Sequence, residues 1–190
     1  IQINITWPRG VGNESDRALG TVFSEYAGML LYQEVREARG LAYTVRGGYQ
    51  PSYRTVDDSA TVAYAGTQAD KTHDSIDAVL STLVVKIDDQ RFSVAKDTLA
   101  QNHRVDRIAP RFIANTVFAW QEAGEKTDPR DARNKRALAV DKTALEKWIK
   151  EAVAKKMLVS IAGPKKSLDE AKLSKLAPIT WVTKAQVFGY

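Results

Sequence analysis

The segment from residue 32 to residue 43, YQEVREARGLAY, joins the end of a helix to the start of a strand. Its first part carries large side chains at helical spacing, which is typical of a helix with one face against a core. Gly40 follows basic residues, as expected where a helix ends in a left-handed turn and cations meet the negative end of its dipole. The residues after Gly40 alternate in the manner of a β-strand. This pattern predicts that Arg36 and Tyr43 lie side by side at one edge of a sheet.

The strand that follows Gly40 has a period of two residues. Leu41, Tyr43 and Val45 alternate with the smaller Ala42 and Thr44. A second alternating run at 59–66 follows after a polar connection, so we expect the two strands to pair antiparallel.

The remainder of the chain alternates between short apolar runs and amphipathic segments. Further strands are predicted at about residues 1–7, 157–162 and 179–182, the second of them buried. Helices are predicted from about residue 15 into the Arg36 segment, at 73–87, at 91–107, and after Pro110.

Capping signals predict where the late helices begin. Thr143 with Glu146, and Ser167 with Glu170, each have the spacing of a capping box. The polar segment 124–135 contains a proline and is predicted to be a loop. The chain has four tryptophans, which are spread over separate elements and are expected to pack in the core.

The order of these elements predicts the fold class. Strands that meet as hairpins, together with grouped helices, indicate an α+β fold with a mostly antiparallel β-sheet and helices packed on one face. No repeat or internal boundary is visible, so residues 1–190 are expected to form a single domain.

Composition excludes several classes of protein. The chain has no cysteine, which rules out disulfides and thiolate metal sites. No apolar run approaches the roughly 18 residues of a membrane span. The net charge is +5, but 28 basic residues are spread among 23 acidic ones without a recognisable nucleic-acid-binding motif. We therefore expect no membrane span and no nucleic-acid partner.

The histidines do not form a metal-binding motif. His73 and His103 are the only two, and neither lies in H-E-x-x-H or H-x-x-E-H. His73 precedes Asp74 and Asp77, which could hold a weak metal but is more typical of a helix start. His103 is followed by Arg104 and Arg107, which disfavour a cation there. The sequence therefore predicts no zinc site within this chain.

The Gly40-Leu41-Ala42-Tyr43 run, with Arg36 before it, resembles a segment of the insulinase/pitrilysin family of zinc metallopeptidases. The similarity is to the C-terminal, zinc-free domain of that family, and the order of elements follows that domain over nearly the whole chain. The resemblance implies a metallopeptidase-like fold of the mitochondrial processing peptidase type. Because the chain opens on a strand and not on a methionine, we expect it to be a fragment of a longer polypeptide.

The resemblance also implies roles for the two motif residues. Tyr43 would contact the oxyanion or the substrate carbonyl, and Arg36 would position the substrate. A donor aimed at the developing oxyanion can be worth about 3 kcal/mol. On the residues alone, the favoured explanation is structural, with Arg36 as a helix-terminal cation and Tyr43 as the edge of the core, and the resemblance reverses that preference.

Residues just beyond the motif extend this hypothesis. Arg46, Tyr49 and Tyr53 could line a peptide-binding surface, although an ordinary strand end and loop would account for each of them. Gly47 and Gly48 would permit a neighbouring backbone to approach closely.

The implied function is that of a substrate-binding, active-site-completing domain of a zinc metalloendopeptidase that encloses peptides in a chamber. The implied partners are a peptide substrate and either the N-terminal half of the same chain or a zinc-bearing subunit, with zinc held in that other half. The alternative is a non-catalytic structural or partner subunit, like the core subunits of respiratory complexes in the same superfamily. The cysteine-free composition fits a bacterial periplasmic enzyme and a cytosolic one, so the compartment stays open.

Overall fold

The computed structural model describes residues 1–52, 57–84 and 86–189. Its strands are β1 (Gln2–Gly10), β2 (Ala42–Gln50), β3 (Ser59–Thr67) and β4 (Leu158–Ala162). Its α-helices are α1 (Glu14–Leu31), α2 (Thr72–Leu83), α3 (Asp89–Val105), α4 (Ile113–Glu122), α5 (Arg130–Ala139), α6 (Lys142–Val153), α7 (Glu170–Leu173) and α8 (Lys184–Phe188). A π-helical turn, Tyr32–Glu37, continues α1, and 3-10 turns cover Pro110–Phe112 and Lys165–Ser167.

The strands form a four-stranded sheet in the order β2-β3-β1-β4. Every neighbouring pair is antiparallel, which confirms the predicted pairing of β2 with β3. On β1, Ile3, Ile5 and Trp7 are each 1% exposed, whereas the residues between them face away from the core. The sheet therefore has one buried face and one open face.

The helices pack against the buried face. Helix α1 lies against β2, α2 against β3 and α6 against β1, while α3 and α5 contact α1. The predicted α+β fold, an antiparallel sheet with helices on one face, is confirmed. Asp16 joins three of these elements, because it accepts hydrogen bonds from Arg9 at 3.1 Å and from Trp148 Nε1 at 2.8 Å.

Helix α1 approaches β2 closely because glycines line the contact. A Cβ placed on Gly47 would lie 2.9 Å from Leu31 Cδ1 and 3.0 Å from Ala27 Cβ. On the helix side, a Cβ on Gly20 would lie 2.2 Å from a ring carbon of Tyr49. Helix α1 is therefore the neighbour that the glycines of β2 allow to approach closely.

Helix α6 begins earlier than the capping box predicts. Asp141 is the N-cap and accepts from Ala144 N at 2.8 Å, because aspartate caps a helix at least as well as threonine. Glu146, the expected partner of Thr143, instead accepts from the backbone N–H of Ile87 at 3.2 Å.

Helix α7 is displaced in the opposite direction, because it begins later than the capping box at Ser167 predicts. Ser167 ends a 3-10 turn, and Asp169 caps the helix by accepting from Lys172 N at 3.0 Å.

The loop predicted at 124–135 is also wrong in its second part. Helix α5 starts at Arg130, because a proline is tolerated at the beginning of a helix, where its missing N–H would have no partner.

Two strand predictions need correction. β4 is an edge strand and not a buried one, since it pairs with β1 alone and its Leu158 is 63% exposed. The expected strand at 179–182 is absent from the described residues, and this segment leads into α8. Trp181 there is 38% exposed and donates to Glu170, so the expectation that every tryptophan packs in the core is also wrong.

The lengths and compositions of the helices can be compared with those of a membrane-spanning helix. No helix in the described ranges combines the length and the apolarity that a bilayer crossing demands.

Substitution of two glycines in α1 should change stability in opposite directions. Gly20→Ala should lower the free energy of unfolding by about 1–3 kcal/mol, because the new methyl group overlaps the Tyr49 ring. Gly28→Ala is the matched control in the same helix, because no described residue beyond the adjacent helix backbone comes within 4 Å of its added Cβ. It should raise stability by about 0.5–1 kcal/mol through helix propensity. Urea titration followed by circular dichroism measures both, and equal effects would contradict the close packing.

Candidate functional site

The helix that carries Arg36 ends at Gly40, as the sequence predicts. Gly40 has a φ of +58°, and its N–H donates to the carbonyl of Arg36 at 3.0 Å. The N–H of Leu41 donates to the carbonyl of Val35 at 3.1 Å. The bond from Gly40 to Arg36 is that of an αL C-cap motif, which needs a left-handed residue at the position of Gly40. Helix and strand β2 are therefore joined by a very short connection.

The last turn before this stop is π-helical. The N–H of Ala38 reaches the carbonyl of Gln33 at 2.9 Å, five residues back, where an α-helical bond would reach four. Such turns are frequent at functional sites. The turn contains Arg36, and the residue spacing in the sequence gave no sign of it.

Tyr43 is the extra residue of a β-bulge. Ala42 and Thr44 pair with the adjacent residues Thr67 and Gly66, so the register shifts by one residue between them. A bulge re-aims the side chain of the inserted residue. Tyr43 is accordingly 64% exposed, although the alternation in the sequence grouped it with the buried Val45.

Gln68 supports the phenol of Tyr43. Its Nε2 donates to the Tyr43 hydroxyl oxygen at 2.6 Å. Because that oxygen accepts from Gln68, the hydroxyl hydrogen is free to donate to another acceptor. Sequence analysis missed Gln68, since a glutamine just after a strand carries no motif of its own.

Arg36 is held by its own helix turn. Its Cζ lies 4.8 Å from the centroid of the Tyr32 ring, and its Nε lies 3.5 Å from Glu37 Oε1. The side chain is 44% exposed, and an exposed pair of this kind contributes little to stability. The guanidinium can therefore exchange Glu37 for the carbonyl or carboxylate of a ligand.

Buried hydroxyls fix the start of β2 just before Tyr43. Thr67 Oγ1 donates to the carbonyl of Leu41 at 2.5 Å, and Ser75 Oγ lies 3.1 Å from the same carbonyl and 3.0 Å from Thr67 Oγ1. Thr67 is 4% exposed and Ser75 is fully buried. These contacts join the beginning of β2 to the end of β3 and to α2.

Lys71 adds a second cation at this end of the sheet. Its Nζ donates to the carbonyl of Gly40 at 3.1 Å. We refer to Arg36, Tyr43, Gln68 and Lys71 as the rim residues. All of them belong to the helix stop, the start of β2 or the connection that follows β3.

The open face of the sheet carries a shallow groove of about 680 Å³, lined by residues of β1, β2 and β3 that include Arg46. Arg46 thus lines this groove. Tyr49 does not, because its ring packs against Trp148 on the helix side, with 5.6 Å between ring centroids. Tyr53 lies outside the described residues.

The donor groups in the described part of the chain do not fit a zinc ion. No three histidine, aspartate or glutamate side chains gather there as a metal site would require. His73 Nδ1 lies 3.5 Å from Asp74 and 3.4 Å from Asp77. His103 Nε2 lies 2.8 Å from Asp131.

The carboxylates near His103 are already engaged by arginine. Arg130 donates to Asp128 and to Asp106. The hydrogen bond from Arg130 holds the pKa of Asp128 below its usual value. A cation at this place would compete with that guanidinium.

Comparison with known proteins identifies similar domains. Residues 5–99 match the model of the family described as the peptidase M16 inactive domain. A comparison with curated proteins gives no match.

Solved structures share the fold at low sequence identity. A peptidase M16 inactive domain from Pseudomonas fluorescens is 17% identical with a TM-score of 0.65, over 83% of this chain and 40% of that one. An inactive peptidase domain from Bordetella parapertussis is 12% identical with a TM-score of 0.64, over 86% of this chain and 91% of that one. A chain of complex III2 from Candida albicans is 16% identical with a TM-score of 0.61, over 84% of this chain and 42% of that one. The chain thus spans about two fifths of the Pseudomonas structure and nine tenths of the Bordetella one.

Removing the Thr67 hydroxyl should loosen the support of Tyr43. Thr67→Val should lower the free energy of unfolding by about 1–2 kcal/mol, because a buried hydrogen bond is lost at nearly constant volume. Thr21→Val is the control, since that hydroxyl lies on an exposed residue and bonds to the carbonyl of Arg17 in its own helix. Chemical denaturation measures both variants. Equal stability of Thr67→Val and wild type would show that the hydroxyl does not hold the start of β2.

Proposed function

The chain belongs to the peptidase M16 inactive-domain family, and from this we propose that it is the substrate-contacting domain of a zinc metalloendopeptidase of the insulinase/pitrilysin type. In this proposal the chain forms part of the wall of a closed chamber that holds a peptide. The zinc belongs to another half, which is either the N-terminal part of the same polypeptide or a partner subunit. Rim residues complete the active site from the opposite side.

The observation that carries the proposal is the exposed phenol of Tyr43 with a free hydroxyl hydrogen. The bulge turns this side chain to solvent, and Gln68 occupies the acceptor side of its oxygen. Peptide hydrolysis places negative charge on the scissile carbonyl oxygen. A preorganised donor aimed at that oxygen stabilises the transition state more than the ground state.

Arg36 has the complementary role of holding the substrate. Its guanidinium is partly exposed and its contact with Glu37 is long, at 3.5 Å. Arginine presents a planar set of donors that suits backbone carbonyls and carboxylates. Together with Lys71, it makes this end of the domain attractive to electron-rich groups of a peptide.

The division of labour follows from the donor groups in the chain. The described residues offer no set of histidines and carboxylates suited to zinc, so a metal in the complete enzyme would be bound by other residues. We therefore assign to this chain only the binding and orientation of the peptide and the hydrogen bond to its carbonyl.

The second candidate is a structural subunit without peptidase activity. It is favoured by the likeness to a chain of complex III2 from Candida albicans, although at 16% identity this likeness concerns the fold. An H-x-x-E-H motif in the rest of the polypeptide or in a copurifying subunit would favour the peptidase. Assembly into a complex without any such motif would favour the structural subunit.

The isolated chain should bind no stoichiometric zinc and should cleave no peptide. Elemental analysis after dialysis against zinc measures the first, and a fluorogenic peptide library measures the second. Proteolysis by the isolated chain that a chelator abolishes would refute the proposed division of labour.

In the peptidase assembled from this chain and its zinc-bearing half, Tyr43→Phe should lower kcat about 100-fold with a small change in KM. The reason is that the hydroxyl contact strengthens in the transition state. Tyr49→Phe is the matched control on the same strand, because its buried hydroxyl has no hydrogen-bond partner in the part of the chain that the structure describes. Wild-type turnover in Tyr43→Phe would remove the catalytic role of the phenol.

A further inference from the structure

We propose that the open face of the sheet binds an extended peptide segment with an acidic side chain, and that Arg46 is the residue that selects this carboxylate. The proposal rests on the proposed function, because it names the class of peptide that the same domain would hold. It concerns a different part of the surface from the rim residues, namely the groove of about 680 Å³ across β1, β2 and β3.

The first argument is the charge of this face. The strand registers place polar, uncharged neighbours around Arg46: Gln2, Asn4, Thr6, Thr44, Tyr64 and Ser160. Among the described residues that line the groove, Arg46 alone is charged. This described lining therefore presents one positive charge and no negative one to a peptide, and electrostatic complementarity favours an acidic side chain.

The second argument is that the guanidinium of Arg46 is uncommitted. It is exposed, and within residues 1–52, 57–84 and 86–189 it has no hydrogen bond, ion pair or ring contact. Other arginines on the surface are engaged, such as Arg91 with Glu34 at 2.9 Å and Arg133 with Glu125 at 2.7 Å. A ligand carboxylate can thus bind Arg46 without displacing a residue of the protein.

The third argument is the position of Arg46 relative to Tyr43. Both residues lie on β2, three positions apart, which corresponds to about 10 Å at roughly 3.3 Å per residue. An extended peptide that runs along β2 covers this distance with about three residues. A substrate whose carbonyl meets Tyr43 would therefore present to Arg46 a side chain about three positions away.

The lining of the groove indicates an internal acidic residue and not a chain terminus. The groove continues on both sides of Arg46, to Thr44 in one direction and to Gln50 in the other. A peptide can therefore pass over Arg46 and continue. The amide and hydroxyl groups around Arg46 can hydrogen-bond the backbone of such a peptide without discriminating among its side chains.

The test is a binding titration of the isotope-labelled 190-residue chain by nuclear magnetic resonance. The probes are short alanine–threonine peptides, acetylated and amidated at their ends, with one central glutamate or, in the matched probe, one glutamine. The glutamate peptide should bind about threefold to tenfold more tightly at low salt and shift the signals of the groove residues. Added sodium chloride should reduce the difference, because the charges are exposed to solvent.

Arg46→Gln should abolish the preference for glutamate. The matched control is Arg104→Gln, which removes the same charge from an exposed position at the end of α3 and should keep the preference. Equal binding of the two peptides, no binding by either, or a preference that survives in Arg46→Gln would each overturn the proposal. A gain seen only for a glutamine peptide with a free C-terminal carboxylate would overturn the assignment to an internal acidic residue.

The result of the Arg46 binding test can be distinguished from the result of the Tyr43→Phe turnover test of the proposed function. An Arg46-dependent preference with unchanged turnover in Tyr43→Phe would support the acidic-peptide site and remove the catalytic role of Tyr43. Conversely, a turnover loss in Tyr43→Phe with no preference for glutamate would support the proposed function and overturn the role of Arg46.

Discussion

The contact between helix α1 and strand β2 determines the geometry of the candidate site. The two elements meet through Gly20 and Gly47, where any larger side chain would overlap a neighbour. Ser24 strengthens the contact, since its hydroxyl accepts from the backbone N–H of Tyr49 at 3.0 Å. Arg36 lies in the turn that continues α1, and Tyr43 lies at the beginning of β2. Their relative position is therefore set by the packing of two rigid elements and not by a flexible loop.

Local features of the backbone then orient Arg36 and Tyr43. The glycine stop reverses the chain after Arg36, and the bulge turns Tyr43 out of the alternating pattern of β2. Buried hydroxyls of Thr67 and Ser75 hold the carbonyl that precedes the bulge. Hydrogen-bond donors of a functional site are effective only when they are held in place before the ligand arrives. A domain without a metal can contribute to catalysis in this way, because it supplies preorganised donors.

Sequence reasoning was accurate where one local rule governs the structure. Gly40 ends a helix because few other residues adopt its φ, and the alternation in β1 places Trp7 in the core. It was wrong where similar signals compete over a few residues. Asp141 and Thr143 are both good N-caps, and Asp141 is the one used, while Glu146, which a capping box at Thr143 would need, accepts from Ile87. The apolar run at 179–182 pairs with no strand among the described residues, which periodicity alone does not reveal.

By itself, the sequence determined the fold class, the order of the main elements and the helix–glycine–strand junction that carries Arg36 and Tyr43. These follow from hydrophobic periodicity and from the backbone freedom of glycine, both of which act over a few neighbouring residues. Only the tertiary structure decided that Tyr43 is exposed, that Gln68 supports it and that Arg46 is the one charged residue in the described lining of the groove. Each of these depends on the register between strands that are distant in the chain, because a shift of one residue exchanges the buried and open faces.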